Sequence, residues 1–291
     1  MIKKAIILAG GTGSRMSPVT KAVNKQLLPL YDKPLFYYPL SVLMLAKIKD
    51  ILIIVNKGQV EQFKKILPNG NNLGIKITYI EQDKPKGLPD AFIVGEKFIG
   101  NNPVALILGD NFFFEQNFSR KLVESTKLTH GAKIFLHPVK NPSLYGVATI
   151  NKKNQNVSIA EKPQKPKSNL AITGLYFFDN KVIKFSKSLK PSARKEIEIV
   201  DLLNKYKDKK QLKAEIIGRG GAWLDTGSIK DFNDTSNFVA TIENRQGFKI
   251  GCIEEIAFNN KWINVNKIKD SIKFYGDCDY SKYLNLIINK N

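Results

Sequence analysis

Along the first 110 residues, short apolar runs rich in β-branched side chains alternate with segments whose apolar residues recur at helical spacing. Strands that alternate with helices fold into a mostly parallel sheet whose faces the helices cover. The predicted strands comprise residues 5–9, 51–55, 75–80 and 104–108, and the predicted helices comprise residues 37–48, 60–67 and 90–98. This half of the chain is therefore expected to be an α/β structure.

The second half of the chain has a different pattern. Short strand-like runs separated by turn residues are predicted at 134–138, 146–150, 157–161 and 172–178, and helices at 199–207, 229–243 and 280–288. Such closely spaced strands favour a mixed, partly antiparallel arrangement. The expected fold is a doubly wound, mostly parallel Rossmann-like sheet with inserted mixed strands, over residues 1–245, followed by a C-terminal helical part over residues 246–291.

The composition, with 43% hydrophobic and 25% charged residues, is that of an ordinary soluble globular protein. The longest apolar runs fall far short of the roughly 20 residues that a membrane-spanning helix needs. The N-terminal residues lack the pattern of a signal peptide, so a cytoplasmic protein without membrane partners is expected. Cys252 and Cys278 have no metal-ligand spacing and are not expected to form a disulfide.

The formal net charge is +20, from 46 basic and 26 acidic residues. Such a charge can attract nucleic acid or small polyanionic substrates, but it can also reflect a solvated, lysine-rich surface. The basic residues are scattered, and no basic helix or aromatic-interleaved RNA motif collects them. Nucleic-acid binding is therefore disfavoured.

A glycine-rich turn, Gly10-Gly11-Thr12-Gly13, follows the first predicted strand and leads into Ser14 and Arg15. Because glycine has no Cβ, backbone N–H groups in such a turn can approach phosphate oxygens closely. Arg15 would add a permanently charged, planar set of donors. The turn indicates a phosphate-binding site, although a tight turn that binds no ligand could contain the same glycines.

Two familiar glycine-rich motifs do not fit this turn. A Walker A loop requires Lys-Ser or Lys-Thr where Arg15 and Met16 stand. A dinucleotide-binding fingerprint requires a glycine at Met16 and an acidic residue at the end of the second strand, where Val55 and Asn56 stand. P-loop nucleotide hydrolysis and NAD-dependent oxidation are both disfavoured.

Two aspartates lie in motifs typical of sheet edges. Asp110 follows a buried strand, and Asp225 follows a turn far downstream. Mg²⁺ prefers one or two carboxylates together with substrate phosphates. A single aspartate at a strand end is more often a cap or turn residue, so the magnesium hypothesis depends on both motifs occurring together.

These motifs, with others along the chain, resemble the glucose-1-phosphate thymidylyltransferases of bacterial deoxysugar pathways. The resemblance extends over essentially the whole chain, and the set of motifs is specific although each is weak alone. The further motifs that carry it are Lys25-Gln26-Leu27-Leu28-Pro29, Tyr31-Asp32-Lys33-Pro34, Glu81-Gln82, Pro85-Lys86-Gly87-Leu88, Gly109-Asp110-Asn111, Tyr145-Gly146-Val147, Glu161-Lys162-Pro163, Thr173-Gly174-Leu175-Tyr176, Arg194, Glu198 and Trp223-Leu224-Asp225-Thr226-Gly227.

The resemblance implies an Mg²⁺-dependent enzyme that joins glucose 1-phosphate to dTTP, releases pyrophosphate and serves dTDP-deoxysugar synthesis of the dTDP-rhamnose type. It also implies a homotetramer, with nucleotide-binding residues in 1–115 and sugar-binding residues in 116–245. The attacking group would be the sugar phosphate, which is largely dianionic at neutral pH because its second pKa is about 6. No general base is then needed, and His130 and His137 are expected to be structural.

The resemblance also implies roles for individual residues. Asp110 and Asp225 would hold the metal and, with Arg15 and Lys162, form the catalytic set. The implied substrate-binding residues are Leu8, Gly10, Gly11, Gly13, Ser14, Arg15, Lys25, Gln26, Gln82, Pro85, Gly87, Asp110, Asn111, Tyr145, Gly146, Glu161, Lys162, Ile172 and Arg194.

Within this set, Arg15 and Lys25 would bind the triphosphate, and Lys162 and Arg194 the sugar phosphate. The amides of Gln26 and Gln82, with backbone near Gly87, would meet the base. Asn111, Tyr145, Gly146, Glu161 and Ile172 would surround the glucose. Any single lysine or arginine of this lysine-rich chain would otherwise be read as a surface residue.

The chain departs from the usual wording of the family at Pro89-Asp90, at Phe114-Glu115-Gln116 and at Lys195. Glu115 and Asn259 fall in the regions where the family forms a second, regulatory nucleotide-sugar site, so feedback inhibition is left open. Three alternatives remain: a sister enzyme that uses UTP or another sugar phosphate, a catalytically silent nucleotide-sugar sensor, and a nucleic-acid binder. A silent sensor should lack the catalytic set, yet all four residues are present.

Overall fold

The structure is a computed structural model that describes residues 1–151, 157–193 and 195–289. The strands within these residues are β1 Lys4–Ala9, β2 Pro29–Leu30, β3 Lys33–Pro34, β4 Asp50–Asn56, β5 Lys76–Gln82, β6 Val104–Leu108, β7 Asn111–Phe114, β8 Ala132–Pro138, β9 Gly146–Ile150, β10 Val157–Glu161, β11 Leu170–Phe178, β12 Leu212–Ile216 and β13 Ala222–Asp225. The helices are α1 Tyr37–Leu45, α2 Val60–Lys64, α3 Asp90–Val94, α4 Glu96–Ile99, α5 Phe118–Thr126, α6 Val182–Lys187, α7 Ile199–Asp208, α8 Ile229–Gln246, α9 Ile253–Asn259, α10 Val265–Tyr275 and α11 Asp279–Asn289. Of these helices, none has the length and apolar character to cross a membrane.

The central sheet has a parallel half and a mixed half, as the sequence predicts. Strands β5, β4, β1 and β6 lie side by side in that order and run parallel. Strand β11 pairs antiparallel with β6, β8 and β9, while β10 pairs antiparallel with β9 and β12 pairs parallel with β8. The doubly wound α/β fold is therefore confirmed.

The order of the parallel strands determines where a ligand can bind. The chain passes from β1 to β4 on one side and later returns to β6 on the other side of β1. A crevice forms outside the carboxyl ends of the strands at such a switch point. Gly10, Asn56, Gln82 and Asp110 all lie at or just beyond these strand ends.

Both faces of β1, β4 and β6 are buried, which explains why these strands are continuous apolar runs rather than alternating ones, whereas the edge strand β5 is only partly buried. In β4, Ile51, Ile53 and Val55 face one hydrophobic cluster, and Leu52 and Ile54 face the other. The first cluster is closed by α1 and by apolar residues of α9, α10 and α11. The C-terminal helices thus share a core with the sheet.

The predicted helices over 37–48 and 60–67 end earlier than expected, at Leu45 and Lys64, and the predicted helix over 90–98 is divided. Helix α1 ends before Lys47, whose positive φ of 63° takes it out of the helical region. The predicted helix over 90–98 is broken between α3 and α4 at Gly95. A Cβ on Gly95 would lie 2.9 Å from the carbonyl oxygen of Ala91 and 3.1 Å from side-chain atoms of both Ile6 and Leu52, so a larger residue would require these neighbours to shift.

A small second sheet was not foreseen from the sequence. Strand β7 pairs antiparallel with β13, and this register places Asn111 opposite Asp225. Thr226 continues the contact, since its N–H and its hydroxyl both donate to the backbone carbonyl of Asp110, at 3.2 and 2.8 Å. The two aspartate-bearing segments are therefore joined directly by backbone pairing.

Candidate active site

Two adjoining cavities, of about 250 and 420 Å³, lie at the carboxyl edge of the sheet. The lining residues that both cavities have in common are Arg15, Leu88, Glu161, Lys162 and Ile199. Two cations therefore stand at the junction of the cavities. This junction is a suitable place for two anionic ligands to meet, because cations offset the repulsion between them.

The first cavity contains the residues that the sequence assigns to the sugar and the metal. They lie on the ends of β6, β9, β10, β11 and β13 and are Asp110, Asn111, Tyr145, Gly146, Glu161, Lys162, Ile172 and Asp225. Trp223, which had no predicted role, also lines this cavity and packs edge-on against Tyr145, with ring centroids 5.2 Å apart. The sequence did not predict that Trp223 lies here, because the pairing of β7 with β13 places it opposite Phe113.

The second cavity contains the residues assigned to the nucleotide, which are Leu8, Gly10, Gly11, Gln82, Pro85 and Gly87. Its other wall is the segment of residues 196–199, which packs directly on Gly87. A Cβ on Gly87 would lie 2.1 Å from the carbonyl oxygen of Ile197, and its φ of +107° also favours glycine. Close contact between these two segments closes the cavity.

Some predicted site residues do not line either cavity. Lys25 and Gln26 are buried in a short 3-10 turn, with 8% and 5% of their surfaces exposed. Gly13 and Ser14 lie at the turn that follows the glycines, where a Cβ on Gly13 would come within 2.9 Å of Thr20. Arg194 lies outside the described residues.

The glycine-rich turn approaches its neighbours closely. A Cβ on Gly10 would lie 1.8 Å from Nε2 of Gln82, and Gly11 has a φ of +114°. Asn56 holds the turn from the side, because its carboxamide accepts from Gly11 N at 3.0 Å and donates to Gly11 O at 2.8 Å. No role was predicted for Asn56, although a polar residue at a strand end beside such a turn is the signal that could have found it.

The two aspartates of the first cavity lie among opposite charges. Asp110 Oδ2 accepts from Lys25 Nζ at 2.7 Å, and its Oδ1 accepts from Asn111 Nδ2 at 3.0 Å. Burial, and after it the negative charge of Asp110, raises the pKa of Asp225 to about 6, while Lys25 and Arg15 oppose the shift. Asp225 is therefore a carboxylate whose negative charge is incompletely compensated by the protein.

This electrostatic arrangement fits Mg²⁺. The charge of Asp110 raises the proton affinity of Asp225, and a hard divalent cation bound by both carboxylates would relieve this repulsion. Among the described residues, no group of three or more acidic, histidine or cysteine side chains could hold a metal. Asp110 and Asp225 would thus be its protein ligands, with the remaining positions left to substrate oxygens and water.

Asn111 orients Asp110 through a buried network. Its Oδ1 accepts from Gly174 N at 3.0 Å and from Trp223 Nε1 at 2.7 Å, and its Nδ2 donates to Asp110. Only 2% of Asn111 is exposed. Both ends of its carboxamide are therefore engaged by the protein, and they fix the direction of the Asp110 carboxylate.

The two cations at the junction are held in place by unusual local structure. Lys162 has a φ of 40°, in the left-handed region, and its N–H donates to the carbonyl of Tyr145 at 3.1 Å. Arg15 lies against Gly227, where a Cβ would be 3.0 Å from both terminal guanidinium nitrogens. Such conformations are retained where the surrounding structure enforces them, as is common at functional sites.

Neither histidine is among the described residues that line the two cavities, although the ring of His137 lies 6.4 Å from that of Trp223, which lines the first cavity. The ring Nε2 of His137 lies 3.4 Å from the carbonyl of Gly221. This placement accords with a site that works by charge and position rather than by a histidine base.

The chain was compared with known protein families and with proteins of known sequence and structure. Residues 4–242 match the family model described as nucleotidyl transferase. A glucose-1-phosphate thymidylyltransferase of Neisseria meningitidis serogroup A is 49% identical over 287 residues, which cover 99% of this chain and 100% of that relative.

Two solved structures have the same architecture. One, from Bacillus anthracis, is described as a glucose-1-phosphate thymidylyltransferase in complex with a sucrose, and it is 39% identical with a TM-score of 0.74. The match covers 81% of this chain and 94% of that one. The other is a UDP-glucose pyrophosphorylase complexed with UDP-glucose, 27% identical with a TM-score of 0.72, covering 83% of this chain and 99% of that one.

Proposed function

Because this chain belongs to the nucleotidyl transferase family, and within it to the glucose-1-phosphate thymidylyltransferases, we propose that it forms dTDP-glucose and pyrophosphate from dTTP and α-D-glucose 1-phosphate. The observation that carries the proposal is the junction of the two cavities. Arg15 and Lys162 line both cavities, and Asp110 and Asp225 line the first of them. The sugar phosphate would occupy the first cavity and the nucleotide the second.

The reaction is an attack by a phosphate oxygen of the sugar on the α-phosphorus of the triphosphate, with pyrophosphate as the leaving group. The attacking oxygen already carries negative charge near neutral pH. The residues of the cleft therefore need only bind the two anions, hold them in line and exclude water. Arg15 and Lys162 would do so as positive charges on either side of the reacting atoms.

Mg²⁺ held by Asp110 and Asp225 would neutralise charge on the phosphates during the displacement. The backbone N–H groups of the glycine-rich turn would bind phosphate oxygens. Lys25 is already paired with Asp110 at 2.7 Å, so in this proposal it orients the carboxylate besides contributing positive charge near the triphosphate.

UTP is the second candidate nucleotide, and the likeness to a UDP-glucose pyrophosphorylase supports keeping it in view. Thymine and uracil differ by one methyl group. Burying a methyl-sized group contributes only about 0.8 kcal/mol, or a several-fold preference. UTP is therefore expected to be a poorer substrate rather than an excluded one.

The test is pyrophosphate release with Mg²⁺ and glucose 1-phosphate, comparing dTTP, UTP, CTP and ATP side by side. The greatest release is expected with dTTP, and an Asp110→Ala variant should show none above background. Greater release with UTP would assign the protein to the sister activity. No release with any of the four nucleotides would contradict the substrate assignment.

Replacement of Lys162 by alanine is expected to lower kcat by about 100-fold, since removal of one charged group that stabilises a transition state has effects of this order. Measurement of kcat and KM for glucose 1-phosphate in the variant tests this. Lys165→Ala serves as the control, because it removes a lysine that lines neither described cavity. An unchanged kcat in Lys162→Ala would contradict the assigned role.

The wider setting follows from the same assignment. The product would enter dTDP-deoxysugar synthesis of the dTDP-rhamnose type in the cytoplasm, and the active form would be a homotetramer. These proposals rest on the resemblance of the motifs to that family. Size-exclusion chromatography with light scattering tests the assembly.

A further inference from the structure

Asn56, the last residue of β4, has no part in the proposed reaction, yet its side chain makes a matched pair of hydrogen bonds. Gly11 N donates to its Oδ1 at 3.0 Å, and its Nδ2 donates to Gly11 O at 2.8 Å. The N–H group can only donate and the carbonyl can only accept. The orientation of the Asn56 carboxamide is therefore fixed, with Oδ1 towards the N–H of Gly11.

Gln82 lies opposite Asn56 in the register between β4 and β5. Its Nε2 donates to the same Oδ1 of Asn56, at 3.4 Å, and lies over Gly10, which has no Cβ to obstruct it. An amide oxygen has two lone pairs and can accept both bonds. If the ends of the Gln82 carboxamide were exchanged, its Oε1 would face another acceptor. Asn56 thus determines which end of Gln82 points which way.

The other end of Gln82 remains for a ligand. Gln82 lines the second cavity, and no described residue donates a hydrogen bond to its Oε1. Gln82 therefore offers a ligand in this cavity an acceptor at Oε1, and the remaining N–H of Nε2 as a donor beside it.

We propose that Asn56 is a specificity-determining positioning residue, which fixes Gln82 so that an amide oxygen faces the N3 position of a pyrimidine base. This inference rests on the proposed function, in which Gln82 contacts the base. Thymine and uracil carry N–H at N3 and can donate to that oxygen. Cytosine has an unprotonated acceptor at N3, so two acceptors would face each other. Asn56 would thereby select dTTP or UTP against dCTP.

Asn56 also supports Gly11, whose φ of +114° is accessible mainly to glycine. Loss of Asn56 should therefore weaken binding of every nucleotide to some extent. The ratio of affinities for dTTP and dCTP separates the two effects, because only the orientation of Gln82 distinguishes the bases. A purely structural role for Asn56 would leave this ratio unchanged.

The experiment is calorimetric titration of the wild type, Asn56→Ala and Asn56→Asp with dTTP and with dCTP, in Mg²⁺ and without sugar phosphate. The wild type should prefer dTTP by about 100-fold or more, as sites that bind a substrate N–H reject an analogue lacking it. In Asn56→Ala, Gln82 can turn, and the preference should fall about tenfold.

Asn56→Asp provides a second, independent reading. Its carboxylate still accepts from Gly11 N and Gln82 Nε2, so the preference for dTTP should be kept, while both affinities fall through repulsion from Gly11 O and the phosphates. Glu81→Ala is the matched control. Glu81 is the neighbour of Gln82 and accepts from Gly58 N at 2.9 Å, so this variant disturbs the same strand end without touching Asn56 or the glycine-rich turn.

The inference is overturned if Asn56→Ala binds both nucleotides more weakly in equal proportion, if Asn56→Asp loses the preference, or if the wild type binds dTTP and dCTP equally. Failure of the proposed function gives a different result. In that case the wild type binds dTTP selectively but releases no pyrophosphate when glucose 1-phosphate is added.

Discussion

Replacement of Asp225 by asparagine is expected to lower kcat for pyrophosphate release by about 10³-fold or more, and at the same time to stabilise the metal-free protein. The loss of activity follows because an amide is a poor ligand for Mg²⁺ and cannot replace the carboxylate that helps to position it. The gain in stability follows because burial and the Asp110 charge raise the pKa of Asp225 to about 6.

The raised pKa of Asp225 determines the sign of the effect on stability. The native state binds the proton of Asp225 more tightly than the unfolded chain, in which the aspartate has its ordinary pKa of 3.8. The contribution of Asp225 to stability is therefore fully present below about pH 4 and is lost as the pH rises through about 6. A pKa shift of about two units corresponds to at most about 3 kcal/mol in the free energy of unfolding. The uncharged variant is therefore expected to be more stable than the wild type by about 1–3 kcal/mol at pH 7.5.

Unfolding in urea with EDTA, at pH 7.5 and at pH 4, measures this effect beside the activity assay. The variant should be more stable than the wild type at pH 7.5, and the difference should shrink at pH 4. Asp234→Asn is the matched control, since Asp234 is an exposed aspartate of α8 whose carboxylate accepts from Lys230 at 2.6 Å. Retained activity, or a variant less stable at pH 7.5, would contradict the role assigned to Asp225.

Replacement of Glu243 by leucine is expected to destabilise the fold by about 3 kcal/mol, because it removes one partner of a buried ion pair. Glu243 Oε1 lies 3.0 Å from Lys33 Nζ, and the two side chains are only 4% and 2% exposed. Glu243 also accepts from Ile250 N at 2.8 Å. Asp32 contacts both Lys33 and Lys249, which moderates the loss without removing it.

The double variant Lys33→Met with Glu243→Leu completes the cycle. Since both charges are then absent, it should be less destabilised than the sum of the two single variants. Lys230→Ala is the control, because the Lys230–Asp234 pair is exposed and its loss should produce no measurable change in the urea midpoint. Equal effects of Glu243→Leu and Lys230→Ala would show that burial of the pair does not matter.

The parallel half of the fold could be predicted because its signals are local. Short runs rich in apolar and β-branched residues, at 5–9, 51–55, 75–80 and 104–108, mark β1, β4, β5 and β6, and a glycine-rich turn follows the first of them. The close approach of Gly95 to Ile6 and Leu52 could not be predicted, because it depends on packing across the sheet. Local propensity has no access to such tertiary contacts.

The residues of the candidate site likewise include some that local motifs reveal and others that only tertiary contacts reveal. Motifs identify Arg15, Asp110 and Asp225, and the structure brings these residues together in one cleft. The pairing of β7 with β13 joins two four-residue strands more than a hundred residues apart, so no periodicity reveals it. Trp223 was missed for this reason, since its importance depends on that pairing, whereas Asn56 stands at a strand end beside the glycine-rich turn, which is a local signal.

The pairing of β7 with β13 also bears on how the protein is made. During synthesis, residues 1–115 can leave the ribosome and begin to form the parallel strands long before residue 225 exists. Until β13 leaves the ribosome, Asp110 would have no neighbouring Asp225 carboxylate, and the first cavity would lack the residues that β13 contributes to its lining. Domains acquire structure from the N-terminus as the chain is extended, whereas contacts of high sequence separation form late. Catalytic competence should therefore appear as one of the last events of folding, well after the sheet is established.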